Sequence, residues 1–228
     1  MKRILITEPF AQEAVELLQK EGFEVVVRID PLEEELAEII SDFDGLIVRS
    51  KTRVYSRIIT AGKRLRIIGR AGVGMDNVDV ETATRQGIIA MNAPDANTIS
   101  TAELTMLFII ALSRNFYQAV SSTKNGKWEK SKLRGSELYK KTLGIIGLGR
   151  IGSEVAKRAI SFGMEVIAYD PFVSPDRERQ LNIRLLDLDQ ILGKSDYITL
   201  HLSLTKESYH MIGKEAFGKM KDGVRIIN

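Results

Sequence analysis

Short apolar runs alternate with stretches of helical periodicity from the start of the chain. Arg3-Ile4-Leu5-Ile6-Thr7, Glu24 to Arg28, Gly45 to Ser50, Arg66 to Gly72 and Ile88 to Asn92 predict strands. Between them, Ala11 to Glu21 spaces Ala14, Val15, Leu17 and Leu18 along one helical side, and Leu32 to Ile40 and Ser56 to Ala61 predict further helices. Strands that are apolar throughout and separated by helices predict a parallel sheet covered on both faces. Residues 1–97 are therefore read as one doubly wound α/β domain.

The rhythm breaks at Ala93-Pro94-Asp95-Ala96-Asn97-Thr98, which is read as a hinge between domains. A long helix is predicted from Ser100 to Val120, apolar through Leu104, Leu107, Phe108, Ile110, Ala111 and Leu112. A polar, basic stretch from Ser121 to Lys141 follows without clear periodicity. Trp128, Leu133 and Leu138 within it suggest that it packs against something, a second subunit included. Alternation then resumes: strand Thr142 to Ile146, a helix to Phe162, strand Glu165 to Tyr169, a helix at Asp187 to Leu192, strand Tyr197 to Leu200, a helix at Lys214 to Met220, and strand Val224 to Ile227. Residues 98–228 form a second α/β domain with four predicted strands.

Composition narrows the chemistry. The 228 residues are 44% hydrophobic, enough for substantial cores. A formal charge of +3 lacks the dense basic stripe of nucleic-acid binding, and no apolar run approaches a membrane span or a signal peptide. The chain reads as cytoplasmic. With no cysteine, disulfides, thiolate catalysis and Cys-ligated metals are excluded, and His201 and His210 alone do not make a metal site.

The most specific motif is Gly147-Leu148-Gly149-Arg150-Ile151-Gly152, set between a strand and a helix and followed by a second strand that ends at Asp170. Gly147 permits the tight turn, Gly149 lets backbone N–H groups approach a pyrophosphate at the positive end of the helix, and Gly152 lets helix and strand pack closely. The carboxylate of Asp170 is placed to accept hydrogen bonds from an adenosine ribose. A 2′-phosphate would be repelled there, and Pro171 follows where an arginine would serve such a phosphate, so the expected cofactor is NAD and not NADP.

Together, Gly69 to Asp79 (GRAGVGMDNVD), Asn92 to Thr105 (NAPDANTISTAELT), Leu143 to Gly152, Tyr169 to Pro171 and Met220 to Asn228 (MKDGVRIIN) resemble the D-isomer-specific 2-hydroxyacid dehydrogenases across essentially the whole chain. Within that family the likeness is greatest to the members that oxidise 3-phosphoglycerate in serine biosynthesis. The resemblance implies a flavodoxin-like substrate domain over residues 1–97, a Rossmann NAD-binding domain over 98–228, and hydride transfer between C2 of a 2-hydroxy acid and nicotinamide. It matches Arg49, Arg70, Val73, Gly74 and Asn97 to substrate contacts, where guanidinium and backbone N–H groups at strand ends suit an anion bearing carboxylate and phosphate. Ordinary surface arginines are the alternative. Lys51 and Arg53 add local positive charge that suits a phosphorylated acid.

Cofactor contacts are assigned to Gly147, Gly149, Arg150, Ile151, Gly152, Asp170 and His201. By resemblance, His201 lies on the nicotinamide side without being the base; a satisfied structural histidine is the alternative. His210 reads as a solvated loop residue. Ser203 stands where relatives usually have proline, which puts the rigidity of that loop in question. In relatives the catalytic arginine, glutamate and histidine follow the segment matching Arg225 to Asn228. The chain is thus expected to stop short of them, with an uncovered last strand, no catalytic residue and no turnover of 3-phosphoglycerate. A non-catalytic NAD-binding or assembly protein and a glyoxylate or hydroxypyruvate reductase remain as alternatives. A two-fold homodimer is expected through the Ser100 to Val120 helix and the Trp128 stretch.

Overall fold

The computed structural model describes residues 1–174 and 176–228, which divide into two compact units, Met1–Asn97 and Thr98–Asn228. In the first unit, β1 (Arg3–Ile6), α1 (Gln12–Lys20), β2 (Glu24–Val27), α2 (Glu33–Ile39), β3 (Gly45–Val48), α3 (Ser56–Ala61), β4 (Ile67–Arg70), α4 (Val80–Arg85) and β5 (Ile89–Asn92) alternate. All strand pairs are parallel, in the order β2-β1-β3-β4-β5. This is the flavodoxin-like order, and it reverses direction between β1 and β3, so the loops that follow those two strands diverge and leave a crevice at their C-terminal ends. Leu5, Leu46 and Ile68 from the sheet pack with Leu36, Ile40, Ile58 and Ile59 from the helical layer.

The second unit contains α5 (Thr98–Ser113), α6 (Phe116–Lys124), β6 (Thr142–Ile146), α7 (Arg150–Ser161), β7 (Glu165–Tyr169), α8 (Asp176–Leu181), β8 (Arg184–Leu185), α9 (Leu188–Lys194), β9 (Tyr197–Leu200), α10 (Lys214–Lys219) and β10 (Arg225–Ile227). Its parallel sheet has the order β10-β9-β6-β7-β8, which is the Rossmann order from strand 5 to strand 3. The reversal here lies between β6 and β9. Tyr197 on β9 is fully buried, and its hydroxyl reaches Ser113 Oγ at 3.1 Å and Ser136 Oγ at 3.4 Å. No helix among the described residues is long and apolar enough to cross a membrane.

Three expectations need correction. Among the described residues the sheet of the second unit has five strands and not four: β8, only two residues long, carries no periodicity to read. The single helix expected from Ser100 to Val120 is two, α5 and α6, broken at Asn115, which adopts a left-handed φ of 48° and donates from Nδ2 to the Arg134 carbonyl at 3.0 Å. The apolar residues of α5 divide between core and surface. Ala102, Thr105, Met106 and Ile109 are buried, whereas Leu104, Leu107, Phe108 and Leu112 are exposed. A helix that is apolar all round carries no signal for which side goes inward. Finally, Leu17 of α1 faces solvent at 60% exposure, and only Ala14, Val15 and Leu18 turn toward the sheet.

Two further features were not expected at all or only in part. Helix α4 has its start written in the sequence: the Asp79 side chain caps it by accepting the Thr82 N–H at 2.9 Å. In the polar stretch, Leu138 is buried in the second unit's own core, while Trp128 is 84% exposed.

Burial should decide the response of two leucines. Leu36→Ala is expected to lower unfolding free energy by about 2–5 kcal/mol in urea titrations, and Leu17→Ala to stay within about 0.5 kcal/mol of the parent chain.

Candidate functional site

At the C-terminal end of β6 the chain must turn sharply between two buried neighbours. Gly147 does so with a φ of +96°, and a Cβ there would lie 2.7 Å from the His201 carbonyl oxygen, so a side chain is excluded by both conformation and space. A Cβ on Gly152 would lie 2.1 Å from the Gly147 carbonyl oxygen, which brings α7 directly against the turn. Gly149 is different. A Cβ built on it meets nothing within 4 Å, and as the N-cap of α7 it offers no side-chain acceptor to the first N–H groups of that helix. The positive end of a twelve-residue helix therefore opens onto unfilled space, a cradle that a side chain would occupy and that suits a pyrophosphate. Arg150 is exposed on the first turn, and Ile151 packs against the core.

Asp170, just beyond β7, is tied to this turn. Its Oδ2 accepts the Leu148 N–H at 2.8 Å and its Oδ1 accepts the Phe172 N–H at 2.9 Å. Each oxygen keeps a further lone pair, so the carboxylate is fixed in direction and can still accept hydroxyl donors. His201 follows β9. Its backbone N–H donates to the Ile146 carbonyl at 2.8 Å, and its Nε2 lies 3.0 Å from Thr199 Oγ1. Burial pushes the imidazole down to about 4, which leaves the ring neutral at pH 7. All the residues assigned to the cofactor thus lie at the C-terminal edge of the second sheet, around its reversal point. His210 is exposed and stacks on Tyr209 with ring centroids 4.0 Å apart.

The loop at Ser203 is held by hydroxyl groups in place of a proline ring. Ser208 Oγ lies 2.8 Å from both the Ser203 carbonyl and the Thr205 N–H, and the Ser208 N–H donates to Thr205 Oγ1 at 3.2 Å.

In the first unit, Arg49 follows β3 and is exposed. Arg70 ends β4 with its guanidinium folded over Gly72, where a Cβ would lie 1.9 Å from Nη1. Arg70 Nε is buried without a hydrogen-bond partner. The Val73 carbonyl accepts from Asn92 Nδ2 at 2.6 Å, and the Ala93 N–H donates to the Gly72 carbonyl at 3.0 Å, so the turn carrying Val73 and Gly74 is pinned to the end of β5. Asn97 is exposed at the end of this unit. Lys51 pairs with Asp30.

Sequence reading missed four residues that hold these loops in place. Leu148 and Phe172 act through backbone N–H groups, which no side-chain pattern reveals. Glu8 and Asn77 are buried polar side chains beside Arg49. Burial works to raise the Glu8 carboxyl, but N–H groups of Thr52, Arg49 and Lys51 and the Thr52 hydroxyl outweigh it and hold the group below its ordinary value. For Glu8 the available signal was an acid two positions beyond an apolar parallel strand.

Comparison with known proteins bears on this geometry. The family described as D-isomer specific 2-hydroxyacid dehydrogenase, NAD binding domain, matches residues 106–228. The hydroxypyruvate reductase of Thermotoga maritima is 48% identical over 99% of this chain and 73% of its own length. The D-3-phosphoglycerate dehydrogenase of Archaeoglobus fulgidus is 48% identical over 99% of this chain, which spans 43% of that protein, less than half its length. The crystal structure of NAD+-bound 3-phosphoglycerate dehydrogenase from Entamoeba histolytica superposes with a TM-score of 0.80 at 35% identity, covering 99% of this chain and 70% of that one.

The His201 environment has a measurable signature. Because its folded value lies below that of the unfolded chain, its contribution to stability is complete above about pH 6.5 and is lost as pH falls from there toward 4, where the unfolded state binds a proton that the folded state does not. NMR titration of the ring is expected to give a midpoint near 4, and His201→Gln to flatten the decline in stability between pH 6.5 and 5.

Proposed function

The chain belongs to the D-isomer-specific 2-hydroxyacid dehydrogenases, and from that premise we propose that it serves the oxidation of 3-phosphoglycerate to 3-phosphohydroxypyruvate with NAD. The observation that carries the cofactor half is the open cradle at Gly149 beside the fixed Asp170 carboxylate. In this reading Gly147, Gly149 and Gly152 admit the pyrophosphate to the N-terminus of α7, with Arg150 and Ile151 beside it, and Asp170 accepts from the adenosine ribose. Bound there, NAD supplies the hydride acceptor. His201, neutral and facing Thr199, lines the cofactor loop and takes no part as the base.

In the first unit, Arg49 and Arg70 provide the cations, and Val73, Gly74 and Asn97 the remaining contacts, for an acid that carries both carboxylate and phosphate. Arg70 Nε, buried without a protein partner, supports this reading. The chain is further read as a two-fold homodimer that covers Leu104, Leu107, Phe108 and Leu112 of α5, whose exposure on one chain makes an extended apolar surface.

Calorimetric titration tests the ligands. NAD is expected to bind at least tenfold more tightly than NADP, and 3-phosphoglycerate more tightly than D-glycerate. Gly149→Ala is expected to fold like the parent and lose NAD binding, since its added methyl fills ligand space and touches no protein atom. Equal binding of NAD and NADP would overturn the cofactor assignment, and preference for hydroxypyruvate over 3-phosphoglycerate would move the substrate to a different acid. For the assembly, light scattering at micromolar concentration is expected to give twice the chain mass, and Leu107→Asp to give a monomer.

A further inference from the structure

Glu8 is only 5% exposed, and its carboxylate lies at the point where the first sheet reverses. Buried acids are rare unless paired or hydrogen-bonded, and this one faces main-chain donors. Its Oε1 accepts the N–H groups of Arg49 at 2.8 Å and Thr52 at 3.0 Å, and its Oε2 accepts that of Lys51 at 3.1 Å. From the other side Asn77, also buried, donates through Nδ2 to the carbonyls of Arg49 at 2.8 Å and Thr52 at 2.7 Å. Thr7 Oγ1 lies 2.9 Å from Thr52 Oγ1. The loop from Arg49 to Thr52 is thus gripped on its amide side by a carboxylate and on its carbonyl side by an amide.

We propose that Glu8 is a positioning residue for acid recognition, acting through the Arg49 backbone to fix where that guanidinium starts. The proposal rests on the reading of Arg49 as a substrate contact. A long surface side chain on a loose loop must give up both backbone and rotamer freedom when it meets an anion, and a loop already fixed gives up only the second. The chemistry of the grip explains why an acid stands here. A carboxylate offers acceptors on both oxygens and no donor, so all three N–H groups are satisfied. Glutamine at the same place would keep the Oε1 contacts and turn an NH2 group against the Lys51 N–H.

The test measures 3-phosphoglycerate and NAD binding by calorimetry on the whole 228-residue chain and on Glu8→Gln, Arg49→Gln and the double variant. Glu8→Gln is expected to weaken 3-phosphoglycerate about five- to tenfold, in line with the ordinary net worth of one hydrogen bond, and to leave NAD within twofold. In the Arg49→Gln background the same change is expected to cost less than twofold, because the group through which Glu8 acts is gone. A purely structural role would weaken both backgrounds equally, and that outcome overturns the proposal. So does unchanged 3-phosphoglycerate affinity in Glu8→Gln while the parent chain binds. Absence of binding by the parent chain overturns the reading of the site itself, and the proposal with it, and is distinguished by appearing before any substitution is made. If Glu8→Gln fails to fold, amide hydrogen exchange on the parent decides: protection of Arg49, Lys51 and Thr52 like that of β3 supports the grip, and exchange as fast as an open loop overturns it.

Discussion

A backbone N–H that leaves a parallel strand at a reversal of the sheet loses its ladder partner while still beside a buried core, and it must find an acceptor or carry an energetic penalty. Both units of this chain meet that constraint with a carboxylate. Asp170 accepts from Leu148 in the glycine turn, and Glu8 accepts from Arg49, Lys51 and Thr52 beyond β3. The loops around these acids owe their shape to them. The glycine turn is aimed by Asp170 as much as by its own conformational freedom, and the Arg49 loop has no glycine and depends on its neighbours.

The strand ladder was legible because parallel strands buried on both faces are written as uninterrupted aliphatic runs. β6, β7 and β9 fall where the sequence puts them, at Thr142–Ile146, Glu165–Tyr169 and Tyr197–Leu200. What escaped notice was short or isotropic. β8 pairs through two residues only, and α5 is apolar on every side, so its inward face is chosen by the fit of Ala102 and Ile109 against the small residues Ala156 and Ala159 of the same core and not by pattern. The break at Asn115 depends on a side chain reaching the Arg134 carbonyl, a partner nineteen residues away that local periodicity does not see.

The candidate site divides in the same way. Glycines 147, 149 and 152 can be read from sequence because each has a separate steric reason, and the three geometries differ as those reasons require. The residues that orient the site through main-chain hydrogen bonds are less visible. Nothing about Phe172 as a residue type suggests that its amide steadies an acid, and Asn77 matters for a carboxamide directed at two carbonyls of one loop.

Among the described residues, each hydrophobic cluster draws its members from one unit alone: one is built within Met1–Asn97, and two within Thr98–Asn228. Compensation between substitutions is therefore a local matter: a cavity opened in one of these clusters is refilled only by neighbours from the same unit.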